Sequence, residues 1–314
     1  MISLVLALAL TASIFTGASI GASAVPPAFG PVSSSGTSGI LKSALVAGIA
    51  ASVGAVVQGG RVTNTVGTGL LDGGIQELQA FSILLVASLL VIASVITKYP
   101  MPTAFTVVGS VVGSAFAFGN TIQWNGLYRV VGYWVLLPIP AVALGYGISY
   151  LLRKFIPKED SKKYMKSILM GLGIFVAFTA GGNSVGKAVG PLVSSNISMR
   201  ILLIIGGASI LAGAWVLSPR IINAVSFEYS NIGPRRSAAA LGSAALLAQL
   251  GIFLGVPISF NEAIIASIIG SGLVVGRSNV GKKKLAYTGA AWIFAFFLSA
   301  LLTYLLGLGL LLVF

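Results

Sequence analysis

Two short segments of this chain combine glycine, proline and small polar residues between long apolar stretches. Residues 21–31 read G-A-S-A-V-P-P-A-F-G-P and residues 181–191 read G-G-N-S-V-G-K-A-V-G-P, with five of eleven positions identical. Interrupted backbone inside a bilayer is tolerated only where protein or a water-filled cavity satisfies its amides and carbonyls. We therefore expect a broken or re-entrant segment at 17–39 and another at 181–196. Two such segments in corresponding places are typical of a transport site.

Helix N-termini in these segments could hold an anion. Residues 21–25 and 181–185, together with helix starts at Thr103 and Ser259, would point backbone amides and positive dipole ends inward. Hydroxyl and amide side chains there add hydrogen-bond donors. The candidate substrate-binding residues are Gly21, Ala22, Ser23, Thr103, Gly181, Gly182, Asn183, Ser184, Lys187 and Ser259.

Lys187 and Glu262 are the charged candidates. The ammonium of Lys187 could compensate a buried oxyanion as a bound cation would, or its long stem could carry it to an aqueous rim. Glu262 is the acid that the pattern places inside an apolar helix, where carboxylates are costly. It could carry a coupling proton, pair with a basic side chain, or lie at the aqueous end of its helix.

Arg61 and Arg220 occupy equivalent places in a near-repeat. Residues 54–67, G-A-V-V-Q-G-G-R-V-T-N-T-V-G, return at an offset of 159 as G-A-W-V-L-S-P-R-I-I-N-A-V-S. A guanidinium suits an oxyanion, but the simpler expectation for both arginines is an anchor that caps helix C-termini. The repeat indicates that the chain is duplicated.

Composition places these residues in a membrane. Apolar residues make up 56% of the 314 positions, charged residues 8%, and the mean hydropathy is +1.01. Cysteine and histidine are absent, which excludes disulfides and removes the commonest catalytic base. With one acid expected inside the membrane, the usual paired catalytic groups are missing, so we expect no enzyme.

The apolar stretches predict an all-α polytopic protein with five crossings in each half. An odd number makes the second half enter the membrane in the opposite sense, which predicts two inverted repeats, 1–152 and 167–314, in one transport domain. The expected crossings are 2–16, 43–60, 79–97, 103–118, 128–152, 167–180, 199–217, 238–255, 259–276 and 285–313.

The net charge of +13 comes from basic residues that lie between the predicted crossings, so it does not indicate nucleic-acid binding. Six basic residues lie in or beside the linker 153–166, and a cytoplasmic linker would put most other basic residues on the same side. The exceptions, outside or within the membrane, would be Arg61, Arg129, Lys187 and Arg200. We therefore expect a multi-pass cell-membrane protein with a cytoplasmic linker and both termini outside.

The two glycine-rich segments resemble the duplicated signature of the inorganic phosphate transporter (PiT) family, G-A-N-D-V-A-N-x-x-G and G-G-N-D-V-S-N-A-I-G-P. A second family motif, P-V-S-T-T-H-x-x-V-G, resembles residues 100–109, P-M-P-T-A-F-T-V-V-G, and residues 257–266, P-I-S-F-N-E-A-I-I-A. The resemblance implies a carrier of inorganic phosphate, or sulfate in some branches, driven by Na⁺ or H⁺. Its partners would be that anion and the lipid bilayer, with a homodimer left open and no cofactor besides the coupling ion.

This chain departs from the family pattern at the positions that bind the coupling ion. The signature Asp residues are replaced by Ala24 and Ser184, and the second Asn residues by Pro27 and Lys187. The His of the second motif becomes Phe105 in one copy and Glu262 in the other. Because Na⁺ prefers several oxygen ligands including carboxylate, these changes favour H⁺ coupling. A sulfate or other oxyanion permease of the same fold, and a passive anion channel, are the alternatives.

Overall fold

A computed structural model describes residues 3–97, 102–157, 161–219, 221–223, 232–276 and 282–313, with the side chains of 161–163 and 282–288 left aside. Within these ranges the protein is nearly all α-helical, as predicted, and the extended pairing consists of an isolated bridge between Leu71 and Ile122. The helices are α1 Leu4–Ala24, α2 Pro26–Ser34, α3 Ile40–Gln58, α4 Gly60–Thr68, α5 Glu77–Thr97, α6 Thr103–Phe118, α7 Trp124–Leu136, α8 Pro138–Phe155, α9 Ser161–Val189, α10 Met199–Val216, α11 Pro234–Leu254, α12 Phe260–Leu273 and α13 Lys282–Val313.

The apolar helices match the expected crossings. Among the described residues, eight helical stretches are long and apolar enough to span a membrane, and α6 and α12 are shorter apolar helices. The stretch Leu4–Ser34 joins α1 to α2, and Trp124–Phe155 joins α7 to α8. These ten stretches fall at the ten predicted positions, and the eight long ones make the chain a multi-pass membrane protein, whereas the helices at 103–118 and 260–273 are shorter than the full crossings predicted there.

Helix α6 begins directly after Pro102, and α12 begins after the non-helical residues 256–259, which include Pro257. They have 16 and 14 residues, or about 24 Å and 21 Å at 1.5 Å per residue. A hydrocarbon core is about 30 Å thick, so neither helix crosses it alone. Their N-terminal ends are therefore available to form a site at membrane depth.

Glycines let helices from the two halves cross at backbone contact. A Cβ atom on Gly21 of α1 would lie 2.2 Å from the carbonyl oxygen of Ile210 on α10, and one on Gly181 of α9 would lie 1.8 Å from that of Ala51 on α3. Small residues permit such close approach between membrane helices. The α1–α10 and α9–α3 crossings thus use glycines at matching positions of the two signature segments.

Each predicted segment contains a helix interruption, since Val25 lies within 17–39 and α9 ends at Val189, within 181–196. Helix α1 continues through 21–24 and is interrupted only at Val25, while α9 is unbroken until Val189. Helix α2 thus begins at Pro26, with Val25 as its N-cap, beside the helix start expected at 21–25, whereas the helix start expected at 181–185 was wrong because α9 is continuous there. The glycines serve close packing, and Pro26 begins α2 at a position where its missing N–H costs no hydrogen bond.

Candidate functional site

Lys187 lies at the centre of the candidate site. Its side chain is fully buried on α9. The ammonium nitrogen Nζ donates to Thr103 Oγ1 at 3.1 Å and, over a longer distance of 3.4 Å, to the carbonyl oxygen of Ile258. Lys187 therefore does not extend to an aqueous rim. It joins the second signature segment to the copies of the second motif from both halves.

Asn183, one turn before Lys187 on α9, fixes the segment that leads into α12. Its side-chain amide donates to the carbonyl oxygen of Ile258 at 2.9 Å, and its Oδ1 accepts from the Ile258 amide, also at 2.9 Å. A residue four positions away on a helix lies on the same face. Both polar groups of Ile258 are thus held by one face of α9.

Two helix starts meet this face. Thr103 is the first residue of α6, and Ser259 is the buried N-cap of α12, next to Ile258. The first amides of a helix have no partner within it and carry the positive end of its dipole. In neither helix does the N-cap side chain accept from these amides. Two positive helix ends and one ammonium therefore lie together, which is an arrangement that attracts anions.

Trp134 on α7 links the same two helix starts. Its indole N–H donates to the carbonyl oxygen of Pro257 at 2.7 Å. Its ring stacks on Phe105, in the first turn of α6, with centroids 3.9 Å apart and planes 20° apart. These contacts make Trp134 a positioning residue for the site.

Ser184 and Glu262 have polar atoms that the described part of the chain leaves unpaired. Ser184 Oγ and Glu262 Oε2 are buried and have no hydrogen-bond partner there. Glu262 lies in the first turn of α12, three residues after Ser259, and forms no ion pair with Lys187 within the described residues. A buried unpaired polar group costs about 1–3 kcal/mol, so both groups are available to a ligand or a proton. The described residues contain no group of three or more His, Cys, Asp or Glu side chains able to hold a metal ion.

The first-half candidates lie in a helix crossing. Gly21 packs against α10, Ala22 is fully buried, and the Ser23 hydroxyl donates to the carbonyl oxygen of Ile20 in its own helix at 3.2 Å. No hydrogen bond joins these three to Lys187 in the described structure. Their contacts indicate packing.

Gly181 and Gly182 serve packing as well. Gly181 contacts the α3 backbone, and a Cβ on Gly182 would lie 2.6 Å from Gln58 Cγ. Gln58 accepts a hydrogen bond from Gln249 at 2.8 Å, so an amide pair lies beside the signature segment. The sequence reading missed this pair because the near-repeat has Leu217 at the position equivalent to Gln58, and Gln249 lies outside the repeated motifs.

Arg61 caps a helix, as expected. Its guanidinium donates to the carbonyl oxygen of Phe253, near the C-terminus of α11, at 2.6 Å, and lies 4.6 Å from the centroid of the Phe253 ring. Arg220 lies outside the described residues. The sequence also missed Ile258, which contributes through its backbone, and the proline before it is the one local signal that the chain is extended there.

Comparison with known proteins identifies the family. A model of the phosphate transporter family matches residues 20–170 and again 156–303. The chain is 29% identical to the sulfate permease CysP of Bacillus subtilis over 301 residues, covering 94% of this chain and 85% of that protein.

A second relative, a putative phosphate permease of Methanocaldococcus jannaschii, is 26% identical over 219 residues, covering 69% of this chain and 71% of the relative. A solved structure titled "The sodium-dependent phosphate transporter" has the same fold, with a TM-score of 0.89 at 20% identity over 99% of this chain and 100% of the other. With its signature segments, its helix order and this family match in agreement, the chain belongs to the phosphate transporter family.

Proposed function

We propose that this chain transports inorganic phosphate across the membrane by alternating access, binding the anion beside Lys187 between the starts of α6 and α12. The observation that carries the proposal is the fully buried ammonium, which contacts one hydroxyl and one carbonyl and has no carboxylate partner in the described structure. A buried charge is costly unless it is paired. A bound oxyanion would supply the missing counter-charge.

Proton coupling fits this site better than Na⁺ coupling. The family's signature Asp residues are Ala24 and Ser184 here, so a Na⁺ ion would lack carboxylate ligands from both segments. Glu262 is 3% exposed with one carboxylate oxygen unpaired among the described residues, which suits a group that gains and loses a proton. In this proposal Lys187 provides the charge of the absent cation and Glu262 carries the proton.

Alternating access would arise from motion of the two halves about this site. We propose that 1–152 and 167–314 are inverted repeats joined by a cytoplasmic linker, 153–166, with both termini outside. The matched crossings of α1 with α10 and of α9 with α3 support the duplication. A helix of each half packs against a helix of the other, so rocking of the halves would expose the bound anion to one side of the membrane and then to the other.

Sulfate is the second candidate, because similarity to a sulfate permease covers 94% of this chain. The side-chain groups next to Lys187 Nζ and on its face of α9 are mainly donors. Sulfate carries no proton near neutral pH and needs donors alone, whereas phosphate is partly protonated and also needs an acceptor. Glu262 would be that acceptor if phosphate is the substrate.

Uptake into proteoliposomes tests the proposal. Radiolabelled phosphate and sulfate are offered separately, with a Na⁺ gradient or a pH gradient imposed in turn. We expect concentrative phosphate uptake that follows the pH gradient, and loss of that dependence in Glu262→Gln. Sulfate accumulation without phosphate accumulation would select the second candidate. Equilibration of either anion without accumulation under any gradient would indicate a channel and contradict the proposal.

A further inference from the structure

Three arginines form a cluster where α8 ends and α11 begins, on elements that the transport site does not use. Arg153 is in the last turn of α8, and Arg235 and Arg236 are in the first turn of α11. Arg153 is within electrostatic range of both others. Arg235 also donates to the carbonyl oxygen of Ile156 at 2.6 Å, which ties the two helix ends together.

The described residues do not neutralise this cluster. Its hydrogen-bond partners among the described residues are neutral, since Arg236 donates to the Ser271 hydroxyl and to the Ile268 carbonyl oxygen, each at 3.4 Å. The Nε atoms of Arg153 and Arg235 are buried without a hydrogen-bond partner in the part of the chain that the structure describes. Two of the cations also lie at the positive end of the α11 dipole, where cations are disfavoured. A bound anion at this position would accept hydrogen bonds from the unpaired Nε atoms and offset the repulsion among the arginines and the helix dipole.

An apolar groove begins beside the cluster. It has a volume of about 320 Å³ and lies between α8, α9 and α11. Leu152 in the groove precedes Arg153 in the chain, and Ala238 lies three residues after Arg235, on the same helix face. Leu246, farther along α11, is 50% exposed, so the groove opens to the surroundings of the bundle.

We propose that this cluster and groove bind one anionic phospholipid, with its phosphate at the arginines and an acyl chain in the groove. A guanidinium group can donate two parallel hydrogen bonds to one phosphate, and basic pockets between membrane helices bind acidic lipid headgroups. A free oxyanion would use the arginines but not the adjoining apolar groove. The continuity of the two therefore selects a lipid over a soluble phosphate.

Native mass spectrometry of the full chain in detergent tests this site. Phosphatidylglycerol and phosphatidylcholine with identical acyl chains are the probes. We expect about tenfold tighter binding of phosphatidylglycerol, and a loss of about fivefold for each arginine removed. Arg153 forms no hydrogen bond with the described residues, so Arg153→Gln alone provides a variant that leaves the packing intact.

A charge-matched control separates the cluster from the overall charge. The triple variant Arg153→Gln, Arg235→Gln, Arg236→Gln should lose the preference for phosphatidylglycerol. The variant Lys42→Gln, Arg129→Gln, Arg200→Gln removes the same number of charges from exposed positions and should keep it. Equal preference in both triple variants would overturn the proposal, as would equal binding of the two lipids to the unmodified protein.

The groove has its own variant. A Cβ on Gly242 would lie 3.6 Å from Ile148 Cδ1 and 3.8 Å from Leu172 Cδ2, so a side chain there enters the groove without meeting backbone. Gly242→Leu should weaken phosphatidylglycerol binding about tenfold, whereas Gly242→Ala should have little effect. If Gly242→Leu binds normally and millimolar inorganic phosphate displaces the lipid, the cluster is a site for free anions and the lipid proposal is wrong.

Discussion

The two signature segments share a packing role and differ in their chemistry. Gly21 and Gly181 each bring a helix against the backbone of the other half, at α10 and α3. Beyond that, Ser23 bonds within its own helix, whereas Asn183 reaches across to the backbone of Ile258. Both segments thus contain a glycine at a close helix crossing.

The polar functions lie in one copy. Lys187 stands where the first segment has Pro27, and Glu262 stands where the first half has Phe105. Phe105 instead stacks on Trp134 and helps to hold the start of α6. The two halves therefore share helix packing, whereas the polar side chains of the candidate site differ between them. Four sets of variants test this difference.

The largest effect is expected at Lys187. Lys187→Gln removes the buried charge that would pair with the bound anion, and losing one partner of a buried charge pair costs about 2–5 kcal/mol. We expect phosphate uptake, as kcat/KM in proteoliposomes, to fall about 100-fold. Lys166→Gln, an exposed position on the same helix, should leave uptake unchanged. Unchanged KM and rate in Lys187→Gln would show that the ammonium does not act on the anion.

The packing shared by the two copies predicts matched losses of stability. Gly181→Ala and Gly21→Ala each place a Cβ within 2.2 Å or less of a carbonyl oxygen, so each should cost roughly 2 kcal/mol. The melting temperature in detergent would fall in both. Gly171→Ala, also on α9 but facing open space, is the control. A loss in only one copy would mean that the crossings are not equivalent.

Two serines distinguish the chemistry of the copies. Ser184→Ala removes a buried hydroxyl with no partner in the described structure, so it should raise KM about tenfold without lowering the melting temperature. Ser23→Ala removes a hydroxyl that bonds within its own helix and should leave KM unchanged. Equal changes in the two variants would contradict an anion site that uses the second signature segment and not the first.

The smallest effect is expected at Trp134. Trp134→Phe keeps an aromatic ring against Phe105 but removes the hydrogen bond to Pro257, which is worth about 1 kcal/mol. KM should rise about fivefold. Trp215→Phe, at a tryptophan that is 48% exposed, should not change it. Identical kinetics for both variants would remove Trp134 as a positioning residue.

Hydrophobicity predicted the positions of the helices well, because an apolar stretch can be recognised from its length and composition alone. The glycine-rich segments do contain the helix interruptions, but the continuity of α9 through 181–185 was not predicted, because glycine and serine permit a close helix crossing as well as a helix break. At Gly181, α9 remains helical, and the α3 backbone at Ala51 lies where a side chain would be.

The candidate site was predictable in part. The side-chain types of Lys187, Asn183 and Thr103 indicated hydrogen-bond donors. In the structure, Lys187 and Asn183 both donate to the carbonyl oxygen of Ile258, and Lys187 also donates to Thr103. The carbonyl of Ile258 could not be predicted, because every residue has one and its role depends on the partner. The arginine cluster was not predicted, because an excess of Lys and Arg is expected in any cytoplasmic loop and does not by itself indicate a binding site.

Anomalous scattering from crystals soaked with selenate tests the central claim most directly, since selenium marks the position of a tetrahedral oxyanion. A peak is predicted about 4 Å from Lys187 Nζ, consistent with an N–H···O contact of about 2.8 Å, and it should vanish in Lys187→Gln. A peak found only beside Ser23 and Pro27, in the first signature segment, would contradict the assignment of the site to the second copy.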